Sequence, residues 1–162
     1  MRKFISKIKG IGLLELMLSL AIIAILLVMA TRYYSATTRS QRVDDTIQLL
    51  GEVETAVNSA LSNGDVTKYS LLTDPSLLVT NGYLSQARVT SDKKSIKSPW
   101  GDVVAWSAAD NTGVELTFSN VPDQQCKDLG KKFYGDATGS ASTGGCVSGS
   151  GTTGSTFYYY IH

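Results

Sequence analysis

The residue in this sequence whose surroundings most clearly imply chemistry is a single acid inside a long apolar run. Between residues 11 and 30 the only charged side chain is Glu15. A carboxylate in the apolar interior of a membrane costs about 3 kcal/mol or more, and such residues usually have a partner and a function. Glu15 is therefore the first candidate functional residue.

A partner for Glu15 would arise if a peptidase cut the chain between Gly10 and Ile11. The cut would give Ile11 a free α-amino group four residues before Glu15, so that a new positive charge would accompany a fixed negative one. Pairing the amine with the carboxylate would offset the desolvation of both groups. Between neighbouring subunits, the same pair would set the axial register of packed helices.

The segment that carries Glu15 is predicted to be a transmembrane helix. Residues 11–30 are 20 in number, and about 20 helical residues span a hydrocarbon core of roughly 30 Å. The leader, residues 1–10, carries four basic residues and no acid, which favours a cytoplasmic location for that end. Three arginines between positions 32 and 42 weaken this orientation, although the two acids that follow partly neutralise them.

The helix is predicted to continue through residues 31–63 as an amphipathic segment. Apolar residues there are spaced by 4, 3, 7 and 4 positions, which places them on one helical face: Val43, Ile47, Leu50, Val57 and Leu61. Asn63 and Gly64 provide a stop signal. The pattern therefore predicts a single helix of about 50 residues.

Residues 64–162 are predicted to form a globular head with an antiparallel sheet. Strands are expected where β-branched and aromatic residues concentrate, at 103–107, 114–119 and 157–161. Short helices are expected after Pro75 and over residues 123–133, and residues 135–155 are expected to be a loop rich in Gly, Ser and Thr. The fold class is α+β.

Two cysteines, Cys126 and Cys146, lie in this head and enclose 19 residues. An even number of cysteines outside the membrane segment favours one disulfide and an oxidising compartment, with two free thiols as the alternative. Closing a loop of this size contributes about 3 kcal/mol through chain entropy. A zinc site is not expected, because the spacing does not fit and the only histidine is His162.

The sequence carries no motif for catalysis, a metal or a cofactor. It has no phosphate-binding loop, no H-E-x-x-H, and no internal histidine to serve a nucleophile. A formal net charge of +1 argues against nucleic-acid binding. Residues 135–155 lack the acidic spacing of a calcium loop.

Residues 9–27, KGIGLLELMLSLAIIAILL, resemble the class III signal of type IV prepilins and pseudopilins. In that family a prepilin peptidase cuts after a glycine, the new N-terminus is methylated, and the fifth mature residue is Glu. Gly10 and Glu15 match these positions. The resemblance implies cleavage between Gly10 and Ile11, methylation of the Ile11 amine, assembly through Glu15 and Ile11, and a pilin fold in which Cys126 and Cys146 bound a loop of the head.

The subclass stays open at this point. Ile11 departs from the Phe of many type IV pilins and from the Met, Leu or Val of many type IVb pilins. The ten-residue leader is shorter than the usual type IVb leader. Residues 98–106, SPWGDVVAW, make the head more similar to type IVb pilins.

The function implied by the resemblance is that of a structural subunit of a type IV pilus. Such a subunit is held in the bacterial inner membrane with its head in the periplasm and then enters an extracellular fibre. The implied partners are further copies of the chain in a helical homopolymer, the prepilin peptidase and the inner-membrane assembly machinery. Adhesion, conjugation, DNA uptake and motility all use similar subunits.

Two other functions remain as alternatives. A minor pilin or a type II secretion pseudopilin would share Gly10 and Glu15, although major pseudopilins usually lack a disulfide and carry a calcium loop. A secreted enzyme or binding protein with an ordinary signal peptide would share the basic and apolar segments. Against the latter, Glu15 interrupts the apolar run and no A-x-A cleavage site follows it.

Overall fold

The computed structural model describes residues 12–109, 112–149 and 154–162 of the 162-residue chain. The predicted leader and Ile11 lie outside the described residues. The helices are α1 (Leu13–Ser62), α2 (Ser76–Thr80) and α3 (Asp123–Tyr134), with 3₁₀ turns at Tyr69–Leu71 and Gln86–Arg88. The strands are β1 (Ile96–Lys97), β2 (Val103–Ala109), β3 (Gly113–Val121), β4 (Gly145–Val147) and β5 (Ser155–Ile161). The chain divides into two compact units, Met1–Thr38 and Arg39–His162.

Helix α1 has 50 residues and confirms the prediction of one long N-terminal helix. Its sequence contains no proline, which would remove a backbone hydrogen bond and break the helix. The N–H of Asn63 still donates to the carbonyl of Ser59 at 3.0 Å. Gly64 then adopts a φ of +78°, a conformation that ends helices and that glycine enters without strain.

Within the first unit, the described part of α1 is exposed, and its stretch from Leu13 to Met29 is apolar except at Glu15 and Ser19. Residues 12–37 are all exposed, and Leu14 keeps 80% of its surface accessible. By length and composition, α1 is apolar enough to cross a membrane. The length and composition of α1 are consistent with the transmembrane segment, which stays a prediction.

Within the second unit, α1 buries one face in the core of the head. Its buried residues recur at helical spacing: Thr46, Leu49, Leu50, Val53, Ala56, Val57 and Ala60. Of the face predicted from sequence, Leu50 and Val57 are fully buried, and the remaining three residues are partly buried against the core. The predicted amphipathic face is therefore the face that packs.

The head contains a five-stranded antiparallel sheet in the order β1-β2-β3-β5-β4. The last strand of the chain inserts between β3 and β4, and Leu116 of β3 lies opposite Tyr159 of β5. On the other side of β5, Phe157 lies opposite Cys146. The long helix and the antiparallel sheet together confirm the α+β fold class.

The sequence patterns do not predict two of these strands, β1 and β4. They contain 2 and 3 residues respectively, too few for an alternating pattern to be recognised. Strand β4 lies within residues 135–155, which the sequence predicts to be a loop interrupted by Cys146, and the loop prediction is wrong for β4. Both strands exist because a longer neighbour supplies hydrogen bonds, β2 for β1 and β5 for β4.

Candidate functional site

Glu15 lies in the first turn of α1, which begins two residues earlier at Leu13. Its N–H donates to the carbonyl of Gly12 at 2.9 Å, so its backbone is held in the first turn. The partial positive charge of a helix N-terminus stabilises a carboxylate at this position. Among the residues that the structure describes, no hydrogen bond or ion pair reaches the side chain of Glu15, which is exposed.

The other polar side chain of this segment is satisfied within the helix. Between Gly12 and Met29 the polar side chains are those of Glu15 and Ser19. The hydroxyl of Ser19 donates to the carbonyl of Leu16 at 2.9 Å, a back-bond that hides a hydroxyl in an apolar setting. Glu15 is thus the side chain in this stretch whose polar atoms still need a partner from outside the described chain.

The surface around Glu15 is a continuous coat of large aliphatic side chains, termed here the apolar coat. Its members are 51–80% exposed: Leu13, Leu14, Leu16, Met17, Leu18, Leu20, Ile22, Ile23, Ile25, Leu26, Leu27, Val28 and Met29. Burying one such side chain is worth about 1.5–3 kcal/mol. A coat of this extent must be covered by lipid or by other proteins, because soluble monomers rarely expose one.

The two residues predicted to flank the cleavage, Gly10 and Ile11, lie outside the described residues. The pairing of the Ile11 amine with the Glu15 carboxylate therefore stays a prediction. Gly12 lies just before α1, and a Cβ built on it meets no atom within 4 Å. Packing against the described residues of this chain consequently does not require a glycine at position 12.

The disulfide predicted from the cysteine count is present between Cys126 and Cys146. Cys126 lies on α3 and Cys146 on β4, with Cα atoms 5.4 Å apart and side chains that are 0% and 2% exposed. The bridge therefore ties a helix to an edge strand. The chain between them approaches α3 closely, since a Cβ on Gly130 would lie 2.8 Å from the carbonyl oxygen of Asp136.

Tyrosines fasten the disulfide-bounded segment to the sheet. The backbone N–H of Tyr160 donates to the hydroxyl of Tyr134 at 3.1 Å. The hydroxyl of Tyr160 donates to Glu115 at 2.7 Å and also contacts the carbonyl of Ala141. Burial, together with the neighbouring Glu115 carboxylate, raises the pKa of Tyr160 to about 12, so that its phenol remains a hydrogen-bond donor even at alkaline pH.

The aromatic residues of β5 pack rather than forming a free surface, as the alternating pattern indicates. Phe157 is fully buried, and Phe133 of α3 lies 5.0 Å from the ring of Tyr159 in an edge-on arrangement. The hydroxyl of Tyr159 donates to Glu54 of α1 at 3.0 Å. In β2, the indole N–H of Trp106 donates to the carbonyl of Leu72 at 2.6 Å.

One further feature escapes sequence reasoning, an ion pair between α1 and the 3₁₀ turn at Gln86–Arg88. Arg88 donates through Nε and one terminal nitrogen to the two carboxylate oxygens of Glu52, each at 2.7 Å. The pair borders an open groove of about 600 Å³, lined also by Gly51, Thr55, Tyr83, Leu84 and Ser85. The 36 residues that separate the two partners leave no local signal in the sequence.

No metal centre emerges from the part of the chain that the structure describes. Within residues 12–109, 112–149 and 154–162, no group of three or more His, Cys, Asp or Glu side chains is arranged to hold an ion.

Comparison with known proteins gives one family. The family model described as Bundlin, a pilin family, matches residues 34–157. The matched region contains the second part of α1, strands β1 to β4 and the disulfide, and it ends within β5. No curated protein matches the chain.

Proposed function

The chain belongs to the Bundlin family of pilins, and from this premise we propose that it is the structural subunit of a type IV pilus, trimmed by a prepilin peptidase and polymerised through α1. The observation that supports the proposal is that the two ends of α1 have different surroundings. One helix of 50 residues buries a face in the head at one end and exposes the apolar coat at the other.

Cleavage between Gly10 and Ile11, followed by methylation of the Ile11 amine, is the proposed processing step. It would convert a neutral peptide bond into a cationic terminus four residues before Glu15. The basic leader supports an orientation in which this end faces the cytoplasm and the head lies in the periplasm.

The apolar coat supports a simple account of assembly. In a membrane the coat faces lipid tails, which are as apolar as the side chains, so no hydrophobic force drives one helix onto another. Outside the membrane the same surface meets water, and burying it becomes favourable by about 25 cal/mol per Å². Subunits would therefore remain separate in the membrane and be held together by their coats in the fibre.

Glu15 would give this otherwise non-directional packing a register. An unpaired carboxylate in an apolar fibre core is costly, whereas a carboxylate paired with the Ile11 amine of a neighbouring copy is not. Removing one partner of a buried ion pair costs about 3–5 kcal/mol. Neighbouring subunits would consequently settle at the axial offset that allows the pair to form.

A minor pilin would have the same helix and the same pairing groups. The two roles differ in abundance, since a main subunit makes up most of the fibre mass. A secreted enzyme gains no support from the comparison, because Bundlin is a structural family rather than an enzyme family.

The test is the intact mass and N-terminal sequence of protein sheared from cells that express the full chain with a prepilin peptidase. Fibres composed mainly of a chain that begins at Ile11, with or without one methyl group, are the expected result. A trace amount of that chain in fibres of another subunit would indicate a minor pilin. A soluble product that begins after Ala30 would overturn the proposal in favour of an ordinary signal peptide.

A further inference from the structure

Two Asn-Gly pairs follow the ends of helices in the head. Asn63-Gly64 follows α1, and Asn81-Gly82 follows α2. An asparagine before a glycine is chemically vulnerable, because no side chain on the glycine shields the backbone nitrogen from the asparagine amide. Both asparagines are exposed to solvent.

The backbone geometry of the two pairs is nearly the same. Gly64 and Gly82 have φ values of +78° and +79°. Their N–H groups donate to the carbonyls of Leu61 and Val79 respectively, in each case at 3.2 Å. Any protection that a helix end gives through its backbone is therefore similar at the two positions.

The side chains differ. The amide nitrogen of Asn63 donates to the hydroxyl of Tyr83 at 2.8 Å, and that hydroxyl donates to Asp65 at 2.6 Å. The hydrogen bond to Asp65 is the main cause of a raised pKa at Tyr83, so the phenol stays protonated and the chain of bonds stays intact at neutral pH. Within the described residues, no hydrogen bond holds the side chain of Asn81.

We propose that Asn81 is a site of spontaneous deamidation and that Tyr83 protects Asn63 from the same reaction. The nitrogen of Gly82 attacks Cγ of Asn81 and forms a five-membered succinimide. The bond from Cγ to the amide nitrogen breaks, and ammonia leaves with the proton from Gly82. Water then opens the ring at either carbonyl and gives aspartate or isoaspartate.

The reaction at Asn63 requires one additional step. Its amide must first leave the hydroxyl of Tyr83 before it can turn toward Gly64. A hydrogen bond of ordinary net strength slows such a step roughly two- to tenfold. Asn81 needs no such release, so it reacts first.

The modification would change the surface of the head near the groove beside Arg88 and Glu52. It adds a negative charge at the end of α2, and the isoaspartate product also lengthens the backbone by one methylene. Tyr83, two residues further on, lines that groove, and the next residue, Leu84, is buried at 4% exposure. In a subunit that persists in a fibre, the modified fraction would rise with age.

The experiment follows both asparagines in one sample of the full-length chain in detergent. Trypsin separates them, because Asn63 lies in peptide 43–68 and Asn81 in peptide 69–88. After incubation at mildly alkaline pH, mass spectrometry with fragmentation measures the gain of mass from amide to acid at each residue. We expect Asn81 to convert about two- to tenfold faster than Asn63.

Two controls assign the difference to Tyr83. In Tyr83→Phe the rate at Asn63 should rise toward that at Asn81, and in the chain unfolded by urea the two rates should converge. The proposal is overturned if Asn81 remains intact, if Asn63 converts as fast as Asn81 in the native protein, or if Asn63 stays the slower of the two after unfolding.

Discussion

Arg88 donates two hydrogen bonds of 2.7 Å to the carboxylate of Glu52, and these join the segment after α2 to the long helix. Both side chains remain about one third exposed. An ion pair with that exposure contributes about 0.2–1 kcal/mol. The main contribution of the ion pair is positional, because it holds Arg88 and Glu52 together at one side of the groove that Tyr83 and Ser85 also line.

Glu52→Gln should lower the stability of the head by about 0.2–1 kcal/mol at neutral pH. The hydrogen bonds from Arg88 hold the pKa of Glu52 below its ordinary value of 4.5. The stabilisation is therefore complete above pH 4.5 and is lost as the pH falls through the lowered pKa. Thermal unfolding of the full chain in detergent, followed by near-UV circular dichroism from neutral to acidic pH, measures it. An equal gap between the two proteins at every pH would contradict the assignment.

Glu15→Val should abolish or severely reduce fibres when the variant is the sole subunit. The reason is that the variant would leave the Ile11 amine of a neighbouring copy without its carboxylate. Removing one partner of a buried ion pair costs about 3–5 kcal/mol. The sheared fraction, normalised to subunit in the membrane, gives the measurement. Ser19→Ala is the matched control, because within the part of the chain that the structure describes the Ser19 hydroxyl donates to the carbonyl of Leu16, and this variant should assemble normally. Normal fibres from Glu15→Val would rule out the pairing mechanism.

Gly10→Glu should block removal of the leader and leave a heavier subunit in the membrane. Gly12→Ala should be processed normally, because the predicted cut lies between Gly10 and Ile11 and leaves position 12 in the mature chain. Intact mass of the membrane fraction distinguishes the two results. Normal removal of the leader from Gly10→Glu would show that the peptidase does not depend on Gly10, and the assigned cleavage site would be wrong. If Gly12→Ala is cleaved but fails to assemble, a close contact between neighbouring helices at Gly12 is indicated.

Removing the disulfide should lower the free energy of unfolding of the head by about 2–4 kcal/mol. The double variant Cys126→Ala and Cys146→Ala, compared with the native chain before and after reduction, provides the measurement by urea unfolding. Alkylation without reduction should label neither cysteine of the native protein. Two labelled thiols in periplasmic protein would show that the bridge does not form in cells.

Two glycines on helices should respond to alanine in opposite directions. Gly51→Ala should stabilise α1 by about 0.5–1 kcal/mol, because the helix gains an alanine and a Cβ meets no atom within 4 Å. Gly130→Ala should destabilise the head by about 1–3 kcal/mol, because overpacking forces neighbouring atoms to move, here the carbonyl oxygen of Asp136 at 2.8 Å. Urea unfolding of both variants compares them. Stabilisation by Gly130→Ala would mean that the segment after α3 yields easily.

The elements that could be predicted from sequence are those with a local, repeated pattern. Helix α1 is predicted by a long apolar run and then by apolar residues such as Leu50 and Val57, whose spacing places them on one helical face. The exposed carboxylate of Glu15 is recognisable because its charge conflicts with its neighbours. Strand β4 has no pattern of its own and depends on β5, which follows it in the chain.

The side-chain contacts within the head could not be predicted from the sequence, because their partners lie far apart along the chain. Arg88 and Glu52 meet across 36 residues, and Tyr159 and Glu54 meet across 105. Charged and phenolic side chains are abundant on any surface, so only the folded backbone selects which pairs meet. The disulfide is the exception, because a chain with two cysteines allows a single intramolecular pairing.

The apolar coat on α1 has a consequence for where unassembled copies of the subunit would be located. Thirteen large aliphatic side chains are exposed between Leu13 and Met29, and transfer of such a surface from water into a bilayer is favourable. Unassembled copies would therefore be confined to the membrane, and their concentration would be measured per area of membrane rather than per volume. The rate of fibre growth would then depend on the number of copies per area of membrane. Copies released by disassembly would return to the membrane rather than to the surrounding solution.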